Sequence, residues 1–316
     1  MSRLQRIAAW LNRHWRTLLL GAATLLTGFC LLRTQWTLPR SVFRYQLVFD
    51  ITQSMNTQDY QVSGLPRDRL GYAKAAVRQA LHELPCGSEV GLGLFTTQTV
   101  HFLFEPLEVC DHFAVIDDVL EHIDWRMAWS ADTHVEMGVH HALREMQKLD
   151  PGLRLVFLTD GQETPPQTVQ PVYDGKPGAV AGALVGVGGL APVTVPRYDR
   201  ENQLLGVWEN ADIEKPPVST TVYSEKVVTR VLPAEGPYLS WLDEPHLKAV
   251  AAATGLTYQR LDKVEPFVDF LTSPRLAELR PTPTQAAPYL AGLALLLLLL
   301  AHAVEPAKAQ KRRRRS

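Results

Sequence analysis

Three residues in one short loop have the types and spacing to hold a metal ion. Asp50, Thr52 and Ser54 alternate in Phe49-Asp50-Ile51-Thr52-Gln53-Ser54-Met55, directly after the apolar run Tyr45–Phe49. Alternate side chains of an extended segment point the same way, so a carboxylate and two hydroxyls converge. Hard divalent cations such as Mg²⁺ take oxygen ligands of this kind. Such a pattern arises by chance roughly once in a thousand positions, and the same residues could merely cap a helix. Two further loops strengthen it. Leu155–Gly161 (LVFLTDG) ends an apolar run on Asp160, and Ala131-Asp132-Thr133-His134-Val135 puts a hydroxyl at a helix entrance. Ligands of doubly wound sheets sit beyond the carboxyl ends of the strands. Asp50, Thr52, Ser54, Thr133 and Asp160 are therefore expected to form one set on three loops.

Other motifs carry less. Gly186-Val187-Gly188-Gly189 imitates a dinucleotide fingerprint, but Pro192 and Pro196 forbid the helix that would receive a pyrophosphate. It reads instead as a strand end with close backbone approach. His140 and His141 are adjacent on a helix and do not face each other, so a surface pair is expected. No G-x-S-x-G, P-loop or H-E-x-x-H pattern occurs. Asp50 and Asp160 have no nucleophile to serve, which argues against an enzyme.

The elements that must position the set alternate in type. Tyr45–Phe49 reads as a buried strand and Asn56–Pro66 as a loop. Asp68 caps a helix with Leu70, Ala73, Val77, Leu81 and Leu84 on one face, ended by Pro85. Glu89–Phe95 and Val100–Leu107 suggest a hairpin, and Asp111 is expected to cap a helix carrying Phe113, Ile116, Leu120 and Ile123. A helix follows over Thr133–Leu149, then strands over Leu153–Leu158 and Ala179–Val187. Prolines at 165, 166, 171 and 177 argue against a regular helix in 163–178. Residues 188–240 look loop-rich, Leu242–Thr254 reads as a helix stopped by Gly255, and Thr257–Leu261 as a last strand. This order predicts an α/β fold, doubly wound around a mostly parallel sheet.

The two ends of the 316-residue chain are basic. Four Arg and no acid precede Thr17. Lys308, Lys311 and Arg312–Arg315 follow Val304, against Glu305 alone. Since the whole chain is at −1, the middle carries about −10, which disfavours nucleic acid as a partner. Next to these ends lie apolar stretches with Trp15, Trp36 and Tyr289 at their edges. Seven segments are expected: a cytoplasmic N-terminus (1–16), a transmembrane helix (17–33), a linker (34–42), the α/β domain (43–270), a second linker (271–285), a second transmembrane helix (286–304) and a cytoplasmic tail (305–316). A cleaved signal peptide is the rival for the first span. Basic flanks stay in the cytoplasm, which places the domain in a bacterial periplasm, anchored to the inner membrane. Cys86 and Cys110 flank the hairpin at the same end of its ladder, and an oxidising compartment favours a disulfide over free thiols or a zinc site with His112. Cys30 falls within the first span.

FDITQSM, ADTHVEMGV and LVFLTDG resemble, in order and spacing, the three metal-site loops of von Willebrand factor A (VWA) domains, over about residues 43–270. The resemblance implies a metal-ion-dependent adhesion site. Thr52 and Ser54 would ligate the ion directly, Thr133 directly or through water, and Asp50 and Asp160 mostly through water. Thr52 stands where Ser is commoner. The ion implied is a divalent cation, Mg²⁺ ahead of Mn²⁺ or Ca²⁺, with a position left for an acidic side chain of a protein partner. DITQSMNTQDY, LPCGSEVGLGLF, EPLEVC, DWRMAWSADTH, VGVGGLAPVTVPRYD and EPHLKAVAAATGLTY further resemble the membrane-anchored MxaL-type proteins encoded with bacterial methanol dehydrogenases. The two-span layout is similar to Bat-type VWA proteins. These likenesses imply assembly or activation of a periplasmic quinoprotein dehydrogenase, with Ca²⁺ delivery to it as the alternative and metal-dependent hydrolysis a remote third.

Overall fold

The computed structural model describes residues 3–32, 35–165, 171–213 and 235–303. They divide into two compact units, Ser41–Glu278, and Met1–Arg40 with Leu279–Ser316. In chain order the chain forms α1 (Arg3–Cys30), β1 (Gln35–Val42), β2 (Arg44–Asp50), α2 (Arg69–Glu83), β3 (Glu89–Thr96), β4 (Thr99–Phe102) and β5 (Leu107–Glu108). Next come α3 (Val109–His122), α4 (Val135–Met146), β6 (Arg154–Thr159), β7 (Gly182–Val187), β8 (Val193–Thr194), β9 (Pro196–Tyr198) and β10 (Leu204–Val207). The chain closes with β11 (Leu239–Ser240), α5 (Glu244–Thr254), β12 (Thr257–Leu261), α6 (Val264–Leu271), β13 (Glu278–Gln285) and α7 (Ala287–Ala303).

The larger unit is built on one sheet in the order β12-β7-β6-β2-β3-β4, with β5 also paired to β3. The pairs from β12 to β3 are parallel, and β4 and β5 run antiparallel to β3. Every residue of β2 is buried, as a central strand covered on both faces requires. Leu47 and Phe49 point into an apolar cluster with α2, α3 and α6. Val48 and Phe157 point into another with α4 and α5. The chain passes from β2 to β3 on one side and later to β6 on the other. The loops leaving β2 and β6 therefore diverge and open a crevice at the carboxyl ends of these two strands.

The helices follow their sequence signals, with local corrections. Asp68 caps α2 by accepting from Gly71 N at 2.6 Å, and Asp243 caps α5, which ends on Gly255 at φ 78°. The cap of α3 is Glu108 rather than Asp111, because the Glu108 carboxylate reaches both Asp111 N (2.6 Å) and Gly87 N (2.5 Å). Strand pairing in Val100–Leu107 is interrupted after Phe102, and helix α4 starts at Val135 rather than Thr133. His140 is buried against the Tyr173 ring and is not half of a surface pair, because α4 is covered on that side by the Tyr173 segment. The stretch 188–240 holds short antiparallel pairs, β8 with β11 and β9 with β10. Cys86 and Cys110 form a disulfide with Cα atoms 5.3 Å apart.

In the smaller unit α1 packs on α7, and β1 pairs with β13. The spans expected at 17–33 and 286–304 are not reproduced: among the described residues no helix is long and apolar enough to cross a membrane. Helix α7 has 17 residues, about 25 Å at 1.5 Å per residue. Helix α1 has 28, but its first half contains Arg3, Arg6, Arg13 and Arg16. The basic tail 305–316 lies outside the described residues. Many apolar side chains here face outward, among them Leu18, Leu25 and Phe29 on α1 and Leu295, Leu296 and Leu299 on α7.

Candidate functional site

Strand β2 delivers Asp50 to the crevice, where its carboxylate organises the first loop. Its Oδ1 accepts from the Thr52 amide at 2.9 Å and from the Thr52 hydroxyl at 2.6 Å. Its Oδ2 accepts from the Thr159 hydroxyl at the end of β6, again at 2.6 Å. The loop turns through a short 3₁₀ segment, Gln53–Asn56, which brings Ser54 Oγ to 3.4 Å from Thr52 Oγ1. Two hydroxyls this close can serve one ion.

The second loop reaches the site as extended chain. Thr133 forms bridges to Thr97 on one side and Thr164 on the other. Its N–H donates to the Thr164 carbonyl at 2.6 Å, and the Thr164 N–H returns the bond at 2.8 Å. The third loop brings Asp160, whose Oδ1 accepts from Gln162 N at 3.1 Å. Its Oδ2 accepts from Arg69 Nη1 at 2.7 Å and from the Ser240 hydroxyl at 3.2 Å. His246 in α5 supports this loop from behind, with Nδ1 2.7 Å from the Gly161 carbonyl and Nε2 3.8 Å from Glu136. Burial pulls the His246 imidazole down, but Glu136, Glu163 and the Gly161 carbonyl outweigh it and push it up to about 9.

All five candidate ligands lie at the crevice, and each is at most 8 % exposed. Burial first, and then the Asp160 carboxylate, push Asp50 up to about 7, against the bonds from Thr159 and Thr52. Arg69 is shared between Asp160 and Asp59, and Asp50 accepts from the neutral donors of Thr52 and Thr159, so one cation stands against three carboxylates and the place is deficient in positive charge. Both oxygens of Asp50 and of Asp160 are already engaged by donors, whereas the hydroxyls of Thr52 and Ser54 keep lone pairs. Ser54 and Thr133 line a cavity of about 20 Å³. This donor set fits a hard divalent cation, with hydroxyls in front and carboxylates one layer behind.

Arg69 is the member of the candidate site that the sequence hides. It is fully buried, with Nη1 also on the Ser240 hydroxyl at 2.6 Å and Nε and Nη2 on Asp59 Oδ2 at 2.9 and 2.7 Å. Burial opposes its charge, but Asp160 and Asp59 outweigh that and hold the guanidinium above its usual value. Gly188, at φ 119°, lies so close that a Cβ would meet Arg69 Nε at 2.6 Å. The close backbone approach expected at this glycine run is the approach to Arg69. A cap Asp followed by Arg looks like any solvated helix start, so no local signal marks Arg69 as central. Ser240 is hidden in the stretch without periodicity.

Residues 46–162 match the family model of the von Willebrand factor type A domain, and the fold around them is VWA-like, an α/β architecture with a mostly parallel sheet. Among solved structures, the chain is similar to an aerotolerance-related membrane protein from Bacteroides fragilis at 17% identity, over 73% of this chain and 98% of that one, with a TM-score of 0.48. It is also similar to BatB from Bacteroides thetaiotaomicron at 15% identity, over 74% and 98% of the two chains, with a TM-score of 0.48. At such scores neither likeness bears on what this chain does. No curated protein matches it.

Proposed function

We propose that the larger unit is a binding module that docks an acidic group of a protein partner at a divalent cation held by Thr52, Ser54 and Thr133. One observation carries this reading: three loops at the switch point set neutral hydroxyls in front of two buried carboxylates. The cation would supply a Lewis-acidic position for a carboxylate. The chain's own residues do the rest. Asp50 orients the Thr52 and Thr159 hydroxyls, and Asp160, fixed by Arg69, supplies negative charge without being consumed as a ligand. Binding is favoured over hydrolysis because both carboxylates are engaged in holding the loops, which leaves neither free as a base. Mg²⁺ is the first choice of ion, and Mn²⁺ and Ca²⁺ suit the same oxygens.

The setting is part of the proposal. The apolar helix pair α1 and α7 anchors the chain in a bacterial inner membrane, with both termini in the cytoplasm and the module in the periplasm. The resemblance of several sequence blocks to the MxaL-type proteins makes a quinoprotein methanol dehydrogenase the first partner to try. Ser54→Ala is the cleanest test, since among the described residues its hydroxyl makes only the 3.4 Å contact to Thr52. Calorimetry on the detergent-solubilised chain should show cation affinity lowered roughly 10- to 100-fold, with folding intact by circular dichroism. Crosslinked partners recovered from membranes should be lost with EDTA and with this variant. Recovery that ignores both treatments would sink the reading.

A further inference from the structure

Helix α5 begins against the loop that carries Asp160, and its first turn grips Asp160 and Gly161 from behind. The Asp243 N–H donates to the Asp160 carbonyl at 2.8 Å. Nδ1 of His246 lies 2.7 Å from the Gly161 carbonyl, and since a carbonyl only accepts, Nδ1 carries the proton. Leu247 fills the space beside Gly161, where a Cβ would stand 2.6 Å from the Leu247 Cγ. That contact requires glycine, and glycine at φ 79° leaves the peptide group after it easy to rotate. The same peptide group carries the Gln162 N–H, which donates to Asp160 Oδ1 at 3.1 Å. His246 therefore holds the oxygen of a peptide plane whose N–H faces the Asp160 carboxylate. The imidazole is held in turn. Its backbone N–H donates to Asp243 Oδ1 at 3.3 Å, and its Nε2 faces Glu136 Oε2, in the first turn of α4, at 3.8 Å. Glu163, further along the loop, accepts from the Glu136 N–H at 3.1 Å, so the loop, α4 and α5 meet at this ring.

We propose that His246 is a positioning residue of the candidate cation site, acting through the Gly161–Gln162 peptide on the carboxylate of Asp160. The inference rests on the cation reading proposed above. Asp160 Oδ2 is fixed by Arg69 and Ser240, and Oδ1 is fixed by the Gln162 N–H. Without His246 this peptide is free to rotate and to turn its oxygen, the negative end of its dipole, toward the carboxylate. Asp160 then pivots about its Oδ2 anchor, and the charge behind the Thr52 and Ser54 hydroxyls loses its fixed place. A site that must meet an ion to within about 0.5 Å depends on such support. Arg69 balances the charge of Asp160, and His246 sets its orientation.

The test compares two variants of the full chain in detergent, His246→Asn and His246→Gln, each titrated with Mn²⁺ by calorimetry. Both remove the ring and any charge on it, so lost packing and altered electrostatics are common to the two. Asn puts an amide N–H where Nδ1 stands and keeps the bond to Gly161. Gln carries its amide one bond further out, at the level of Nε2, and loses that bond. His246→Asn should therefore bind Mn²⁺ roughly tenfold more tightly than His246→Gln, with similar midpoints of urea unfolding. Equal affinities, or tighter binding by His246→Gln, overturn the role of His246 alone. A wild-type chain that binds no Mn²⁺ overturns the cation reading and leaves His246 nothing to position. A second measurement needs no variant. In wild-type chain labelled with ¹⁵N-histidine and ¹³C-carbonyl glycine, dipolar recoupling should pair a protonated imidazole nitrogen with a glycine carbonyl. Absence of that pair rejects the bond on which the inference stands.

Discussion

The guanidinium of Arg69 lies between the carboxylates of Asp59 and Asp160, with the Ser240 hydroxyl as a third partner, and Arg69 is wholly buried. A buried ion pair adds little over a well-packed apolar group, but removing one member strands the other. Arg69→Met should therefore destabilise the larger unit by about 3–5 kcal/mol, read as a lowered midpoint of urea unfolding. Pairing it with Asp160→Asn should recover part of the loss, because one of the two stranded charges is gone and only Asp59 remains. A single variant within about 0.5 kcal/mol of wild type would show that Asp160 does not depend on this partner. The same residue marks the limit of what the amino-acid sequence displays. Asp50, Thr52 and Ser54 are legible because alternation in an extended loop fixes direction locally. Arg69 joins Asp160 across 91 positions, and no local pattern encodes that meeting.

At the scale of elements, the disulfide ties the entry of β3 to the first turn of α3. Cys86 and Cys110 are 24 positions apart, so the bond restricts a loop of moderate size in the unfolded chain. Cys86→Ser with Cys110→Ser should cost about 2–4 kcal/mol, seen as a lower unfolding midpoint that wild-type protein matches only after reduction. An oxidised wild type no more stable than the double variant would remove the disulfide from the list of stabilising features. The bond could be anticipated because a hairpin between the cysteines returns the chain to one end. The alternation of apolar runs with 3.6-residue periodicity likewise gives the sheet and its helices. What stays illegible is the stretch between β7 and α5, whose strands of two to four residues are too short to show any period. It holds Ser240 and the cavity walls Trp208 and Tyr238, so the site's inner half is readable and its outer wall is not.

At the scale of the molecule, the smaller unit raises the question of its solvent. Helix α7 exposes Leu293, Leu295, Leu296, Leu299 and Leu300, and α1 exposes Leu18, Leu25 and Phe29. A contiguous apolar surface of this kind marks a membrane or a partner. The length of α7, about 25 Å, falls about 5 Å short of a typical hydrocarbon core. Local thinning and interfacial side chains absorb a mismatch of that size at a fraction of a kcal/mol per Å. The Trp36 and Tyr289 rings stack 6.3 Å apart beside Arg40, an aromatic and cationic group of the type found at the headgroup level. The short helix therefore disfavours a lone span more than a packed pair of helices. Full-length protein should sediment with inner membranes and resist both high salt and alkaline carbonate. Leu295→Lys combined with Leu299→Lys should release it, since each lysine at mid-helix costs about 2.5–3.5 kcal/mol on insertion scales. A fluorescent reporter after Ser316 should fold in the cytoplasm, and alkaline phosphatase at the same place should be inactive. Extraction by salt alone would make the leucines a protein contact, and active phosphatase would put the C-terminus on the far side.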